Sequence, residues 1–188
     1  MFEHPTYVVM ELPASVSKCV LDIRKRYDDR LAAFPAEITV AGSSGVGTIA
    51  AGQDAHVVLA ALKQVANEHL PIHTHFVKIS RFATGPIIWL QPVDPTPFVA
   101  IQQALISTNI QFLPHKFGYT PHCSLSARDL APDEVEALIQ ESFPRDVFVL
   151  SSLALYTVVG GRANFVERLH PGHGPNNSFK PNPLRGSA

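Results

Sequence analysis

Apolar and polar positions divide the chain into short β-type runs separated by helical ones. Thr6–Leu12 (TYVVMEL) predicts a strand. Pro13 and Ala14 open a helix to about Ala33, with Val16, Cys19, Val20, Ile23 and Tyr27 at helical spacing. Lys18, Arg24, Lys25 and Arg26 are expected largely on its other faces. Pro35 ends the connection. AEITVAG, starting at Ala36, predicts a second strand, with Glu37 and Thr39 on one face and Ile38 and Val40 on the other. The small residues of GSSGVGTIAAG (Gly42–Gly52) read as a flexible strand-to-helix loop. Asp54 is suited to cap the next helix, Ala55 to about His69.

IHTHFVKISRF (Ile72–Phe82) predicts a strand and GPIIWLQPV (Gly85–Val93) its hairpin partner. Pro95–Ser107 reads as an amphipathic helix. A short polar/apolar run, YTPHCSLSARD (Tyr119–Asp129), precedes a helix from Ala131 to Ser142. Two strands follow, near Val147–Val159 and Ala163–Leu169. Gly160-Gly161 between them is a hairpin turn signal. This order predicts an α+β fold, mostly antiparallel, with helices covering one face. With no long linker, residues 1–169 are expected to form one domain. Residues 170–188, rich in Pro, Gly and Asn, are expected to be an irregular tail.

Composition narrows the function classes. The chain has 188 residues, 46% hydrophobic and 16% charged, which suits a globular domain with a sizeable core. The net charge is -1, so the global basic field expected of a tight DNA binder is absent. Nothing has membrane-spanning length, and the first residues do not read as a signal peptide. Cys19 and Cys123 give no disulfide framework. Both are expected as buried, reduced thiols, which suits a cytoplasmic setting.

Two stretches echo each other. PAEITVAG from Pro35 and TPHCSLSA from Thr120 each pass from a proline into a strand of polar, apolar, Ser/Thr, apolar residues. Glu37 and His122 hold equivalent places 85 residues apart (37 to 122). The repeat reads as an internal duplication whose halves face each other. With IRKRYD before the first motif, IIWLQPV between them and the closing LALYTVVGGRANFVERL, the chain resembles the two-histidine (2H) phosphoesterase superfamily. That superfamily includes 2′-5′ RNA ligase-like proteins and cyclic phosphodiesterases. The resemblance spans about Thr6 to Leu169. It implies a bilobed fold, with pseudo-twofold antiparallel sheets around a central cleft and helices packed outside. It also implies acid/base chemistry, without metal or other cofactor, on a phosphodiester such as a 2′,3′-cyclic phosphate or a 2′-5′ linkage. The partner implied is a nucleotide or RNA end.

Carried over to this chain, the resemblance makes His122 a proton-transfer residue and Thr39 and Ser124 the phosphate-gripping hydroxyls. Glu37 stands where the family has its first histidine. A carboxylate can act as a general base, so one division of labour has Glu37 as base and His122 as acid. Two unit negative charges ~4 Å apart cost about 4 kcal/mol at an effective dielectric near 20. An ionised Glu37 beside a phosphate therefore requires a nearby cation, or else a proton. The alternative is a degenerate protein of the same fold that binds a nucleotide or RNA end without turnover.

Weaker candidates surround this pair. Lys116 and Tyr119 precede the second motif, as a substrate cation and a stacking or packing ring. Lys78, Arg81, Arg128 and Arg162 are further cations, each more simply a solvated charge. His73 and His75 are expected to share a strand face, and His75 is a candidate for the cleft lining. Neither these two nor the His170/His173 pair has the acidic or thiol neighbours of a convincing metal site. Trp89 is expected in the core. GSSGVGT lacks the Gly-Lys-Ser/Thr ending of a phosphate loop.

Overall fold

The computed structural model describes residues 1–172. The tail beyond Gly172, including His173, lies outside the described residues. The strands are β1 (Thr6–Glu11), β2 (Glu37–Ala41), β3 (Ile72–Thr74), β4 (Phe76–Arg81), β5 (Ile88–Pro92), β6 (Cys123–Ser126), β7 (Phe148–Leu150), β8 (Leu153–Val159) and β9 (Arg162–Leu169). The helices are α1 (Ala14–Tyr27), α2 (Asp29–Ala32), α3 (Ala55–His69), α4 (Thr96–Ile106) and α5 (Pro132–Ile139). The strands form three antiparallel sheets, in the orders β2-β1-β8-β9, β4-β5-β6 and β3-β7. This is the expected α+β architecture.

Both echoing segments become edge strands, β2 of the first sheet and β6 of the second. In β2 the alternation holds: Ile38 and Val40 are buried in the core, whereas Glu37 and Thr39 are half-buried. In β6, Cys123 and Leu125 are buried and Ser124 is half-buried. One core joins the two lobes, running from Val8, Met10 and Ile38 through Val20 and Ile23 of α1 to Ile88, Leu90 and Cys123.

Helix α1 is shorter than its apolar periodicity suggests. Asp28 leaves helical geometry (φ −155, ψ 84) and its carboxylate accepts from the Leu31 N–H at 2.9 Å. The other carboxylate oxygen accepts from the Ala127 N–H at 2.8 Å, so the same break anchors the end of β6. Asp54 caps α3 as expected, accepting from the N–H groups of His56 and Val57. Gly160 and Gly161, at φ 58 and 74, make the left-handed turn between β8 and β9.

Three further expectations change. The run from Ile72 to Phe82 splits at His75: β3 pairs with β7, while β4 pairs with β5. Hence His73 and His75 do not lie on one strand. The run near Val147–Val159 likewise divides into β7 and β8. The glycine loop after β2 is pinned rather than free. The Gly45 N–H donates to the Phe117 carbonyl at 2.9 Å, and Ile49 bridges Thr6 and Phe112. At Gly47 (φ +87) a Cβ would collide with the Leu113 carbonyl, so the close approach of the two loops requires glycine.

Candidate functional site

Glu37, Thr39 and Ser124 line one cavity of about 320 Å³. One face of the first sheet forms one wall through Tyr7, Val9, Tyr156, Val158 and Ala163, and Arg24 and Phe34 approach from the α1 side. A groove of about 810 Å³ between α3 and α4 is larger, but it holds none of the motif residues. Size therefore does not identify the site; the convergence of polar groups from two lobes does.

Glu37 is held in an unusual state. Burial pushes its carboxyl up to about 7. The Arg24 cation and the Thr39 hydroxyl pull it down, and Glu11 pushes it up. The Thr39 hydroxyl lies 3.0 Å from each carboxyl oxygen of Glu37, so in this structure it serves the acid. Glu11 sits opposite Glu37 across β1–β2. It is engaged by Arg168 and by the Tyr156 hydroxyl, whose own pKa is pushed up to about 12, chiefly by burial.

His122 lies one residue before β6. Its Nδ1 is 2.6 Å from the Thr120 carbonyl, which can only accept, so Nδ1 carries a proton. In the neutral ring Nε2 then holds the free lone pair. Burial lowers the imidazole below its ordinary value, and the bond to Thr120 opposes that. The ring packs edge-on against Phe82 and Trp89, with centroids 5.2 and 5.7 Å away. Trp89 is buried, as expected of a core residue. Its Nε1 has no partner among the described residues. His122 does not line the cavity that holds Glu37, Thr39 and Ser124.

The remaining expected residues separate. The Tyr119 hydroxyl donates to the Thr39 carbonyl at 3.0 Å, which ties the approach to the second motif to the first motif strand. Burial pushes that phenol well above its usual range. Lys116 is exposed, with its ammonium 5.1 Å from the Phe117 ring centroid, and His75 sits in the β3–β4 connection; neither lines the cavity. Arg128 is committed to the Tyr27 carbonyl and to Glu134. Among the described residues, no group of three or more His, Cys, Asp or Glu side chains could hold a metal ion.

Arg24 is the residue that the sequence reading misplaced. Expected off the apolar face, it is 1% exposed. Its Nε donates to the Ser124 carbonyl at 2.9 Å. Its Nη1 donates to the carbonyls of Phe34 and Pro35 at 3.2 and 3.0 Å. Nη2 meets only the Cys123 sulfur, at 3.8 Å. One guanidinium thus bonds the segment leading into β2 and the backbone of β6. Burial raises the Cys123 thiol to about 11, and the Arg24 cation opposes that rise. A signal was present: residues 16, 20, 24 and 27 fall on one helical stripe, and a cation in such a stripe must find acceptors.

Comparisons with known proteins bear on the family and the fold. A family model described as the 2′-5′ RNA ligase superfamily matches residues 12–162. No curated protein sequence matches the chain. Among solved structures, Escherichia coli LigT complexed with 3′-AMP is 14% identical, covers 92% of this chain and 100% of its own, and has a TM-score of 0.59. The protein TT0787 of Thermus thermophilus is 11% identical over 90% of this chain and 100% of its own, with a TM-score of 0.60. A structure described as a phosphoesterase is 15% identical over 91% of this chain and 99% of its own, with a TM-score of 0.57. At these identities the likeness establishes the fold.

Proposed function

The chain belongs to the 2′-5′ RNA ligase superfamily, and from that premise we propose that it processes a phosphodiester of a nucleotide or RNA end by acid/base chemistry. The observation that carries the reading is the meeting of Glu37 and Thr39 from one lobe with Ser124 from the other on a single cavity. The nucleotide class is supported by the fold shared with E. coli LigT, which has been crystallised with 3′-AMP, ATP and NADP+. The two free cysteines suit a reducing, cytoplasmic setting.

The environments favour Glu37 as the acid and His122 as the base. This reverses the division of labour considered from sequence. A carboxyl pushed up to about 7 keeps its proton near neutrality. An imidazole pushed down by burial stays neutral, with its lone pair on Nε2. On a 2′,3′-cyclic phosphate, Nε2 takes a proton from the attacking water while the Glu37 carboxyl protonates the departing ribose oxygen. One P–O bond forms and one breaks. The Ser124 hydroxyl holds a phosphate oxygen. Thr39, bonded to Glu37, orients the acid.

Hydrolysis of a 2′,3′-cyclic nucleotide by the wild type, His122→Ala, Glu37→Gln and Glu37→His tests the reading. Turnover by the wild type that falls by ~10²–10⁴ in His122→Ala and Glu37→Gln supports it. A second reading is nucleotide binding without turnover, favoured by the position of His122 outside the cavity lining. An inert wild type that becomes active as Glu37→His would select that reading.

A further inference from the structure

Arg24 is a fully buried cation without a counter-ion. The five ion pairs among the described residues do not include it, and its donors go to neutral carbonyls and a sulfur. Buried charges are ordinarily paired, because an isolated ion loses its hydration. Here the Nη2 donors have only a distant thiol, and the guanidinium borders the cavity that holds Glu37, Thr39 and Ser124. We infer that Arg24 is the anion anchor of this cavity, and that Glu37 gates it: protonated, Glu37 admits a tetrahedral anion to balance Arg24; ionised, it becomes the counter-ion itself and expels the ligand.

The other groups facing Glu37 leave it in control. Glu11, across from it on β1, is balanced by Arg168 of β9 and bonded by Tyr156 of β8. The Cys123 thiol and the Tyr119 phenol are pushed up by burial and stay neutral. His122, outside the cavity lining, is pushed down by burial and is neutral around pH 7. Glu37 is thus the group facing Arg24 whose charge changes around pH 7. Proton and anion uptake are then linked, so affinity falls at most about tenfold per pH unit above that midpoint.

The inference rests on the proposed function only in using the same cavity. Sulfate is the probe, because its charge is constant from pH 5.5 to about 8.5 and it undergoes no turnover. Titration calorimetry on the full chain should give an affinity that weakens above about pH 7. Glu37→Gln should bind equally at both ends of the range, and Arg24→Met should lose binding. The same pH slope in Glu37→Gln as in the wild type overturns the gate, even if Arg24→Met fails to fold. Undiminished sulfate binding by folded Arg24→Met overturns the anchor. Gated sulfate binding without cyclic-phosphate hydrolysis would defeat only the catalytic reading. Hydrolysis with pH-independent sulfate affinity would defeat only the gate.

Discussion

The two motif strands share a position and differ in chemistry. β2 and β6 are both sheet edges, each presenting a polar side chain followed two residues later by a hydroxyl. In β2 the leading residue is an acid that burial pushes up. Just before β6 it is a base that burial pushes down. A low-dielectric surrounding disfavours charge of either sign, so it moves the two groups toward each other on the pH scale. An acid that keeps its proton and a base that lacks one coexist near pH 7. A carboxyl in such a surrounding can therefore serve as a proton donor near neutrality as long as the site stays enclosed.

The sharpest break of this comparison is kinetic. His122→Ala and Glu37→Gln should each lower kcat/KM on a cyclic phosphate by ~10²–10⁴, and the double variant should cost less than their product, since both serve one step. The wild-type rate should fall as pH rises through about 7, where Glu37 loses its proton, and that alkaline limb should vanish in Glu37→Gln.

Next in size is the link between the strands. Arg24→Met leaves the carbonyls of Phe34, Pro35 and Ser124 without their donor, so urea denaturation should show a loss of about 3 kcal/mol or more. Lys25→Met on the exposed side of α1 should change stability by less than about 0.5 kcal/mol. Equal effects would show that Arg24 does not join the lobes.

Stability against pH gives a smaller signal. Glu37 binds its proton more tightly folded than unfolded, so its contribution is complete below about 4.5 and is lost as pH rises to about 7. The loss should be about 1–3 kcal/mol across that window and absent in Glu37→Gln. The smallest effect concerns Thr39. Its hydroxyl favours the ionised acid, so Thr39→Val should move the alkaline limb of the rate profile upward.

Local pattern determined most of the elements and both motif strands, because apolar periodicity and turn chemistry act over a few residues. The limits of α3, the Asp54 cap, the turn at Gly160-Gly161 and the shared face of Glu37 and Thr39 could be read from neighbouring residues alone. The division of Ile72–Phe82 could not, because strand partners chosen far along the chain decide where a β run breaks. Nor could the protonation of Glu37, which depends on how much water and which charges surround it. Arg24 shows the same limit. Its place on the α1 stripe was misread, and its partners at Pro35 and Ser124 come from separate segments that only folding brings together. Sequence carried the kind of groups available; the dielectric and the distances that set their charge arose from the packed chain.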